Sequence, residues 1–533
     1  MANTLKFGNG NWATKDGSTL AYNDESGFNP LPFDFTRASS ATVVNKNGLI
    51  ETVASGIPRI DFLGNTKGAL LLEPSRTNLI AQSQAFDNSY WTKSGASIQG
   101  DASTAGAEQV VNGNFATDSD WTKGTSWTIS GGTANCDGTS TSALVPTVSL
   151  SPVVGKSYQI TYTISNFSSG FLRFYFGGIF TSFKSANGTY TETITVNAVD
   201  SLSTSIQPST ILSIDNVSVK EVQGFASPSA DSPLGAFKLV EDTSNGGHNI
   251  QRVENVSNAT IYTSSVFVKY GGREWIRFTD AQSSNRIHFN TLTGAFGAIT
   301  GTVIDYNSIA LSNGWYKLSI TTTSVATAYA LRVSLAEADN DVSYTGDGTS
   351  GVYIYGAQLE AGSYSTSLIN TSGSVVTRQA DVCNNGGNSE VINSTEGVLY
   401  ADIAALTKIN PSGNITLTDG TGDNRIYIYY LIDNSISVIY NVNSTGASIN
   451  NFSLSNITDQ TKIAVRWGNS NVSVWINGTS VLSNTTSNFL PNTLNVLSFE
   501  KPAGSVPFEG KTKDVRVYNT ALSDSELAAL TTI

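Results

Sequence analysis

Short runs in which apolar and polar residues alternate recur along most of this chain, and they restrict its possible folds more than any other feature. In residues 157–165, Tyr and Ile alternate with Gln and Thr, the period expected of a strand with one buried face. Runs separated by Gly, Asn, Asp and Ser repeat the pattern at residues 171–176, 261–270, 316–322, 426–431 and 471–476. Such spacing is typical of sandwiches. It predicts an all-β, multidomain chain of antiparallel jelly rolls or β-sandwiches.

One short helix is predicted, at the C-terminus. Ser523 and Glu526 have the spacing of a capping box, in which each side chain accepts a hydrogen bond from the other residue's backbone N–H. The apolar residues Leu527 and Leu530 follow on one face.

Composition narrows the class of protein. The 533 residues suggest three or four domains, and a chain that is 39% hydrophobic and 14% charged is expected to fold. A net charge of -12 argues against nucleic acid as a partner. We find no secretion signal and no apolar run of membrane-spanning length, so no membrane insertion is expected. Cys136 and Cys383 lie far apart and form neither a zinc motif nor a disulfide framework.

A weak internal repeat predicts that one module is inserted into another. A Phe-to-Trp-Thr-Lys opening occurs at residues 86–93 and again at 115–123, before a first module could finish. The closing run at residues 214–219 has a counterpart at 352–359. This order indicates a module at 108–222 inserted between host halves at 78–107 and 223–381. The alternative is that residues 86–91 are a linker and the repeat is a coincidence.

Several motifs near the N-terminus resemble a segment that recurs in virion proteins of tailed bacteriophages. They are FDFTRASSATVVNKNGLIE (residues 33–51), PRIDF (58–62) and GALLLEPSRTNLI (68–80). The resemblance implies a β segment at 33–77 that leads into a carbohydrate-binding-module-like jelly roll. That jelly roll ends in a sequence similar to GVYIYGAQLEAGSYSTSLINTSGSVVTRQAD (351–381). It also implies that residues 1–32 anchor the protein to the particle, and we expect residues 1–28 to become ordered only against partner chains.

Two further stretches resemble sugar-binding folds. VVNGNFATDSDW (residues 110–121) through IDNVSVKEV (214–222) is similar to jelly-roll carbohydrate-binding modules. Residues 391–533 resemble concanavalin A-like, laminin-G-like domains through GVLYADI (397–403), KIAVRWGNSNVSVWINGTSV (462–481) and FEGKTKDVRVYNTALSDSELAAL (508–530). Asn477-Gly478 is the hairpin turn expected between two alternating runs.

The resemblance implies glycan binding through aromatic rings that cover the apolar side of a sugar. The candidate rings are Trp127, Tyr175, Trp275, Trp315, Tyr353, Tyr355 and Trp467, with Trp475 beside them. A large aromatic residue within a strand pattern more often fills the core. Trp127 lies between Ser126 and Thr128, so we expect it to be the most exposed of the set.

Metal binding and catalysis have less support. Structural calcium could bind loop oxygens, and the candidate ligands are Asn114, Asp215, Asp419 and Asp423, although such loops are more often plain turns. The histidines, His248 and His288, have no catalytic motif around them. A pair of carboxylates could still meet in space, but we expect no enzymatic activity.

These inferences favour a structural surface protein of a phage particle, made in the bacterial cytoplasm, that contacts host glycans through lectin-like modules. Phage fibres are commonly trimers, so a homotrimer joined to other virion proteins through its N-terminus is expected. The alternative is a capsid-attached head fibre or decoration protein whose lectin-like domains are purely structural. A third alternative is a polysaccharide depolymerase, which no sequence motif supports.

Overall fold

The computed structural model describes residues 5–23, 29–100, 105–154, 156–222, 224–409, 411–501 and 506–533. The chain divides into two compact units, one of residues 1–98, 227–233 and 238–533 and the other of residues 99–226 and 234–237. The strands pair antiparallel into sheets and a short helix ends the chain, which confirms the predicted fold class. Within the described ranges, no helix has the length and apolar character needed to span a membrane.

The first unit contains a sandwich that we call the terminal sandwich, because it unites strands from both ends of the chain. Its larger sheet runs in the order Val382–Asn384, Asn29–Thr36, Ser18–Asn23, Leu5–Gly8, Gly510–Tyr518, Gly397–Ala405, Thr461–Gly468, Asn471–Ile476 and Thr479–Thr485. At its sides, Thr14–Lys15 pairs with Ser18–Asn23, and Ala69–Leu72 pairs with both Gly510–Tyr518 and Ile60–Asp61. The facing sheet runs Thr445–Ser453, Ser435–Val442, Arg425–Leu431, Asn414–Thr418 and Val496–Ser498.

The N-terminal strand Leu5–Gly8 corrects one prediction. It lies between Ser18–Asn23 and Gly510–Tyr518, and the side chains of Leu5 and Phe7 are fully buried in the core of the terminal sandwich. The expectation that this segment becomes ordered only against partner chains is therefore wrong for these residues. Residues 1–4 and 24–28 lie outside the described part of the chain. The alternation of two apolar side chains in an otherwise polar segment is the signal that reveals the strand.

The first unit also contains the host jelly roll, built from two sheets. The first host sheet runs Thr92–Ser94, Asn249–Asn255, Ala328–Ala336, Trp275–Asp280, Asn285–Asn290 and Phe296–Thr300. The second host sheet runs Ala96–Gln99, Phe237–Glu241, Gly351–Ala361, Ile261–Tyr270, Trp315–Thr323 and Val303–Ala310. Rings from both sheets meet between them, as in the edge contact of Phe289 with Tyr316 at 5.2 Å between centroids. Smaller elements are the strand pairs Ala41–Val44 with Ile50–Val53, Arg76–Asn78 with Val376–Arg378, and Asn245–Gly246 with Tyr344–Thr345, and the 3₁₀ turn Ser312–Gly314.

Charged residues of the phage-like motifs meet in one buried cluster, which we call the buried ion cluster: Arg37, Arg59, Glu73, Arg378 and Asp381. Arg37 pairs with Asp381 at 2.9 Å, Glu73 pairs with Arg59 at 2.7 Å and with Arg378 at 2.8 Å, and Arg59 also pairs with Asp381. None of these residues is more than 4% exposed. Burial alone would raise the pKa of Glu73, but Arg378 and Arg59 outweigh it and hold the pKa well below its ordinary value. These ion pairs thus join the segment that precedes the host jelly roll to the segment that follows it.

The second unit has its own strands and core. Its main sheet runs Trp127–Ser130, Thr133–Asp137, Ile211–Val222, Ser157–Ser169 and Gly188–Thr195, with Ala105–Glu108 also paired to Ile211–Val222. Further pairs join Leu172–Phe176 to Ile179–Phe180 and to Ser203–Ile206, and Trp121–Lys123 to Leu144–Pro146. The predicted run at 157–165 thus extends to Ser169.

The two Phe-to-Trp openings have the same local structure. Phe86 and Trp91 pack with ring centroids 4.9 Å apart, and Phe115 and Trp121 do so at 5.1 Å. In each opening the indole N–H donates a 3.0 Å hydrogen bond to the carbonyl nine residues earlier. The repeat seen in the sequence therefore corresponds to a repeated structural motif, one copy in each unit.

The predicted helix and hairpin are both present. The helix spans Asp524–Thr531, and Ser523 and Glu526 form the capping box. Asn477 and Gly478 both have positive φ, as a two-residue hairpin turn of this type requires, between Asn471–Ile476 and Thr479–Thr485.

Candidate functional site

The candidate site lies on the outer face of the first host sheet. Ile276 and Phe278 are fully buried in the jelly-roll core, so the alternating residues Trp275, Arg277 and Thr279 project to the opposite side. The neighbouring strands add more polar residues to that side. We call this surface the arginine face, and it is formed by Trp275, Arg277, Thr279, Arg286, His288, Arg332 and Ser334.

Strand register arranges these residues in rows across the sheet. Arg277 lies opposite His288 on one neighbouring strand and Ser334 on the other. Thr279 lies between Arg286 and Arg332 in the next row. Because neighbouring strands are about 4.8 Å apart, the backbones at Arg286 and Arg332 are about 10 Å apart, with Arg277 diagonal to both. Three guanidinium groups therefore share a surface the size of one or two sugar rings.

Several polar atoms of the arginine face lack partners. Arg277 Nε, Arg286 Nε, Thr279 Oγ1, Ser334 Oγ and His288 Nε2 are buried without a hydrogen bond to any described residue. Within the same described ranges, Arg277 and Arg286 form no ion pair. A buried polar group without a partner costs about 1–3 kcal/mol. Five such atoms thus lie on one surface, although the described chain contains others elsewhere, such as Arg59 Nε and Arg378 Nε.

The electrostatics of the arginine face are those of uncompensated cations. Burial, together with the nearby charges of Arg286 and Arg332, lowers the pKa of Arg277. Arg332 donates a 2.8 Å hydrogen bond to the neutral amide of Gln251. Two carboxylates lie beside the face: Asp339 is 4.0 Å from His288 Nδ1, and Glu274 accepts a hydrogen bond from Asn290. The centre of the face thus has three positive charges in a protein whose net charge is -12.

His288 supplies an acceptor rather than another charge. Its side chain is fully buried, and its Nδ1 donates a 3.0 Å hydrogen bond to the carbonyl of Ala298. Burial lowers its pKa, which favours the neutral ring. Nε2 is then an unprotonated acceptor, suited to a hydroxyl donor.

The structure divides the predicted aromatic candidates into buried and half-buried side chains. Trp127, Trp315, Tyr355 and Trp467 are at most 3% exposed, so they have no free ring face for a sugar. The expectation that Trp127 is exposed is wrong: it projects inward with Ile129, while its polar neighbour Thr128 projects outward.

The other candidates are half-buried and lie on different surfaces. Trp275 stands at the end of the arginine face, whereas Tyr353 lies on the second host sheet opposite Lys269. Tyr175, in the second unit, bonds Asp200 at 2.7 Å and packs against Phe180. Trp475 is also half-buried, in the terminal sandwich beside the C-terminal helix. Trp275 alone among the predicted residues joins the arginine face.

The predicted metal ligands accept hydrogen bonds from the chain, three of them within their own loops and Asp423 from a neighbouring turn. Asp419 accepts from Thr421 and Asn424, Asp423 from Ser444, Asp215 from Asn216, and Asn114 from the backbone of Ala116. Among the described residues, no group of three or more His, Cys, Asp or Glu side chains has an arrangement that could hold a metal ion.

A pocket of about 620 Å³ lies on the outer face of the terminal sandwich. It contains two carboxylates, Asp402 and Asp514, directly opposite each other on paired strands. Arg516 pairs with Asp514 at 2.6 Å, whereas Asp402 Oδ1 is buried without a hydrogen bond to the described chain. Burial, assisted by Asp514, raises the pKa of Asp402 to about 6 although Lys513 and Lys462 oppose it.

Asp402→Asn is expected to stabilise the protein above pH 6. A carboxyl whose pKa is higher in the folded state binds its proton more tightly there, so stability falls as pH rises from about 4 to about 6. A shift of about two pKa units corresponds to at most about 3 kcal/mol. Denaturant unfolding should therefore give the variant a higher free energy of unfolding than the wild type at pH 8. The difference should vanish near pH 4. The exposed control Glu390→Gln should show no such pH-dependent gain, and an equal gain in both variants would contradict the assignment.

The sequence analysis missed the arginines of the candidate site. Each stands at an outward position within an otherwise strand-like run: Arg277 between Ile276 and Phe278, Arg286 before Ile287, and Arg332 between Leu331 and Val333. An Arg at alternating positions of several neighbouring strands is a usable signal. It becomes informative only when the strand order is known.

Comparison with known proteins identifies the class of the C-terminal part. Residues 404–528 match the family described as Concanavalin A-like lectin/glucanases superfamily, Laminin_G_3. Residues 404–528, which supply the facing sheet and several strands of the larger sheet of the terminal sandwich, thus match a concanavalin A-like, laminin-G-like domain. No curated protein matches the chain.

Several solved structures show some similarity to this chain. The CBM40 of Ruminococcus gnavus IT-sialidase bound to alpha2,3 sialyllactose is 17% identical, with 28% of this chain and 94% of that one covered, at a TM-score of 0.24. Domains LG4-5 of the mouse laminin alpha1 chain are 11% identical to this chain, with 53% of this chain and 90% of that one covered, at a TM-score of 0.19. The CBM22 tandem of Paenibacillus barcinonensis Xyn10C is 12% identical to this chain, with 55% of this chain and 99% of that one covered, at a TM-score of 0.16. TM-scores this far below 0.5 establish no shared function.

Proposed function

We propose that this protein is a glycan-binding surface protein of a tailed-phage particle, and that the arginine face is its principal binding surface. It binds sugars without cleaving them. The terminal sandwich and the N-terminal segment join it to other virion proteins, and a homotrimer presents three copies of the face.

The observation that carries the binding proposal is the set of unpartnered polar atoms around Arg277. Sugar hydroxyls accept hydrogen bonds from guanidinium groups, and Arg277, Arg286 and Arg332 are half-buried on this face. Trp275 stands at the end of the same surface, where a half-buried indole can cover the apolar side of a sugar ring. A binding surface of this composition leaves its donors without protein partners until a ligand supplies them.

The particle role is supported by the motifs that resemble phage virion proteins. Their charged residues build the buried ion cluster, so the resemblance extends to residues on which this fold depends. Electron microscopy of labelled particles would locate the protein. A tail position supports receptor binding, and a capsid position with no glycan binding supports the structural head-fibre alternative.

Trp275→Ala is expected to weaken glycan binding about threefold to tenfold, because a stacked aromatic contributes about 0.5–1.5 kcal/mol beyond its buried area. The measurement is retention of the purified full chain on a glycan array. Tyr353→Ala, a half-buried ring on the other host sheet, is the matched control and should bind as the wild type does.

Two results would contradict the proposal. If no glycan retains the wild-type protein, the lectin-like modules are structural. If the bound polysaccharide releases reducing ends, the protein is a depolymerase. Because single sites bind weakly, the array should use the intact oligomer, in which linked sites raise the effective concentration.

A further inference from the structure

The arginine face also indicates which sugars it takes. We infer that its ligand is an acidic glycan, one whose sugar carboxylates pair with Arg277, Arg286 and Arg332. This inference rests on the proposed function, because it names the class of ligand for the same surface.

The first argument is charge balance. Several arginines elsewhere in the described chain have acidic partners: Arg59 pairs with Glu73 and Asp381, Arg273 with Glu241, and Arg516 with Asp514. Half-buried Arg173 and Arg425 have none there, but each stands alone over an aromatic ring rather than beside other arginines. The arginine face departs from this pattern, since the residues opposite Arg277 are His288 and Ser334 and the residue between Arg286 and Arg332 is Thr279. Three cations close together repel each other, and a bound anion reverses this unfavourable term.

The second argument is the chemistry of the donors. A guanidinium group is planar and presents parallel N–H donors that match the two oxygens of a carboxylate, and such charge-assisted pairs are stronger than hydrogen bonds to neutral hydroxyls. A neutral sugar would satisfy hydrogen bonds at this surface but would leave all three charges unpaired. The combination favours a hexuronic acid polymer over a neutral one.

The test compares two polymers with one backbone. The full-length wild type is passed over immobilised polygalacturonate and over fully methyl-esterified polygalacturonate, which lacks the charge but keeps the ring and its hydroxyls. We expect binding at least about tenfold tighter to the acid form, since one charge-assisted pair contributes about 1.5–3 kcal/mol and 1.4 kcal/mol is tenfold. Raising the salt concentration from 50 to 500 mM should weaken this binding.

Substitutions at two arginines connect the preference to this surface. Arg277→Gln and Arg286→Gln should each reduce binding to polygalacturonate about tenfold or more, whereas Arg277→Lys, which keeps the charge but loses the fork, should lose less. Arg466→Gln, outside the face and paired with Asp524, is the matched control and should bind normally. Circular dichroism confirms that each variant is folded, and removal of an unpaired cation is not expected to unfold the sheet.

Each outcome decides between the two proposals. Equal binding to the acid and ester forms overturns the acidic ligand and leaves the proposed function intact. Equal competition by dextran sulfate at matched charge overturns the carboxylate assignment, because it shows general attraction to polyanions. If neither polymer binds and the glycan array is also blank, the proposed function fails together with the inference.

Discussion

Asp381→Asn is expected to destabilise the larger unit by about 3–5 kcal/mol. Asp381 is 1% exposed and pairs with both Arg37 and Arg59, which are themselves fully or almost fully buried. Replacing one member of a buried ion pair leaves the opposite charge without compensation in a medium that cannot solvate it. Here a single amide would leave Arg37 without an acidic partner in the described chain and would leave Arg59 with Glu73 alone. Denaturant unfolding followed by intrinsic fluorescence measures the loss.

The matched control is Asp524→Asn. Asp524 also pairs with an arginine, Arg466, at 2.6 Å, but its side chain is 70% exposed. A surface pair of this kind contributes about 0–1 kcal/mol. If the two variants lose similar stability, the buried ion cluster is not what holds the phage-like segment to the host jelly roll. A double-mutant cycle with Arg37→Gln would show the coupling directly, because residues in contact do not act additively.

Local pattern was enough to predict the strands and the helix, because both depend on which side chains face the core. Residues 261–270 and 471–476 alternate as the packing between two sheets demands, and the strands have those bounds. The same rule corrects Trp127: Thr128 and Ser130 face solvent and alternate with Trp127 and Ile129, so the alternation marks Trp127 as inward. The buried ion cluster could not be read in this way, since its partners lie some 300 residues apart and only the fold brings them together.

The candidate site illustrates the same limit. Trp275 was named from its residue type, but the three arginines around it come from three strands whose order in the sheet differs from their order in the chain. A strand pattern says that Arg277 faces away from the core and does not say which residues stand opposite it. Only the register shows that no carboxylate stands directly opposite it, and this absence within the described face is what makes the surface a candidate for binding.

Phe7→Ala is expected to cost about 3–5 kcal/mol, the usual cost of removing a buried phenylalanine ring. Phe7 is fully buried, with ring centroids 4.7 Å from Phe33 and 5.7 Å from Phe499, so its side chain belongs to the core of the terminal sandwich. The exposed control Lys15→Ala should change stability by less than about 0.5 kcal/mol. An unchanged denaturation midpoint for Phe7→Ala would mean that the N-terminal strand packs on partner chains instead. If the loss is seen, deleting residues 1–28 would remove two interior strands of the sheet, Leu5–Gly8 and Ser18–Asn23, so a truncated chain that fails to join the particle could fail through unfolding. The anchoring role must then be tested by substituting exposed N-terminal residues. Only variants with an unchanged denaturation midpoint can be used for this test.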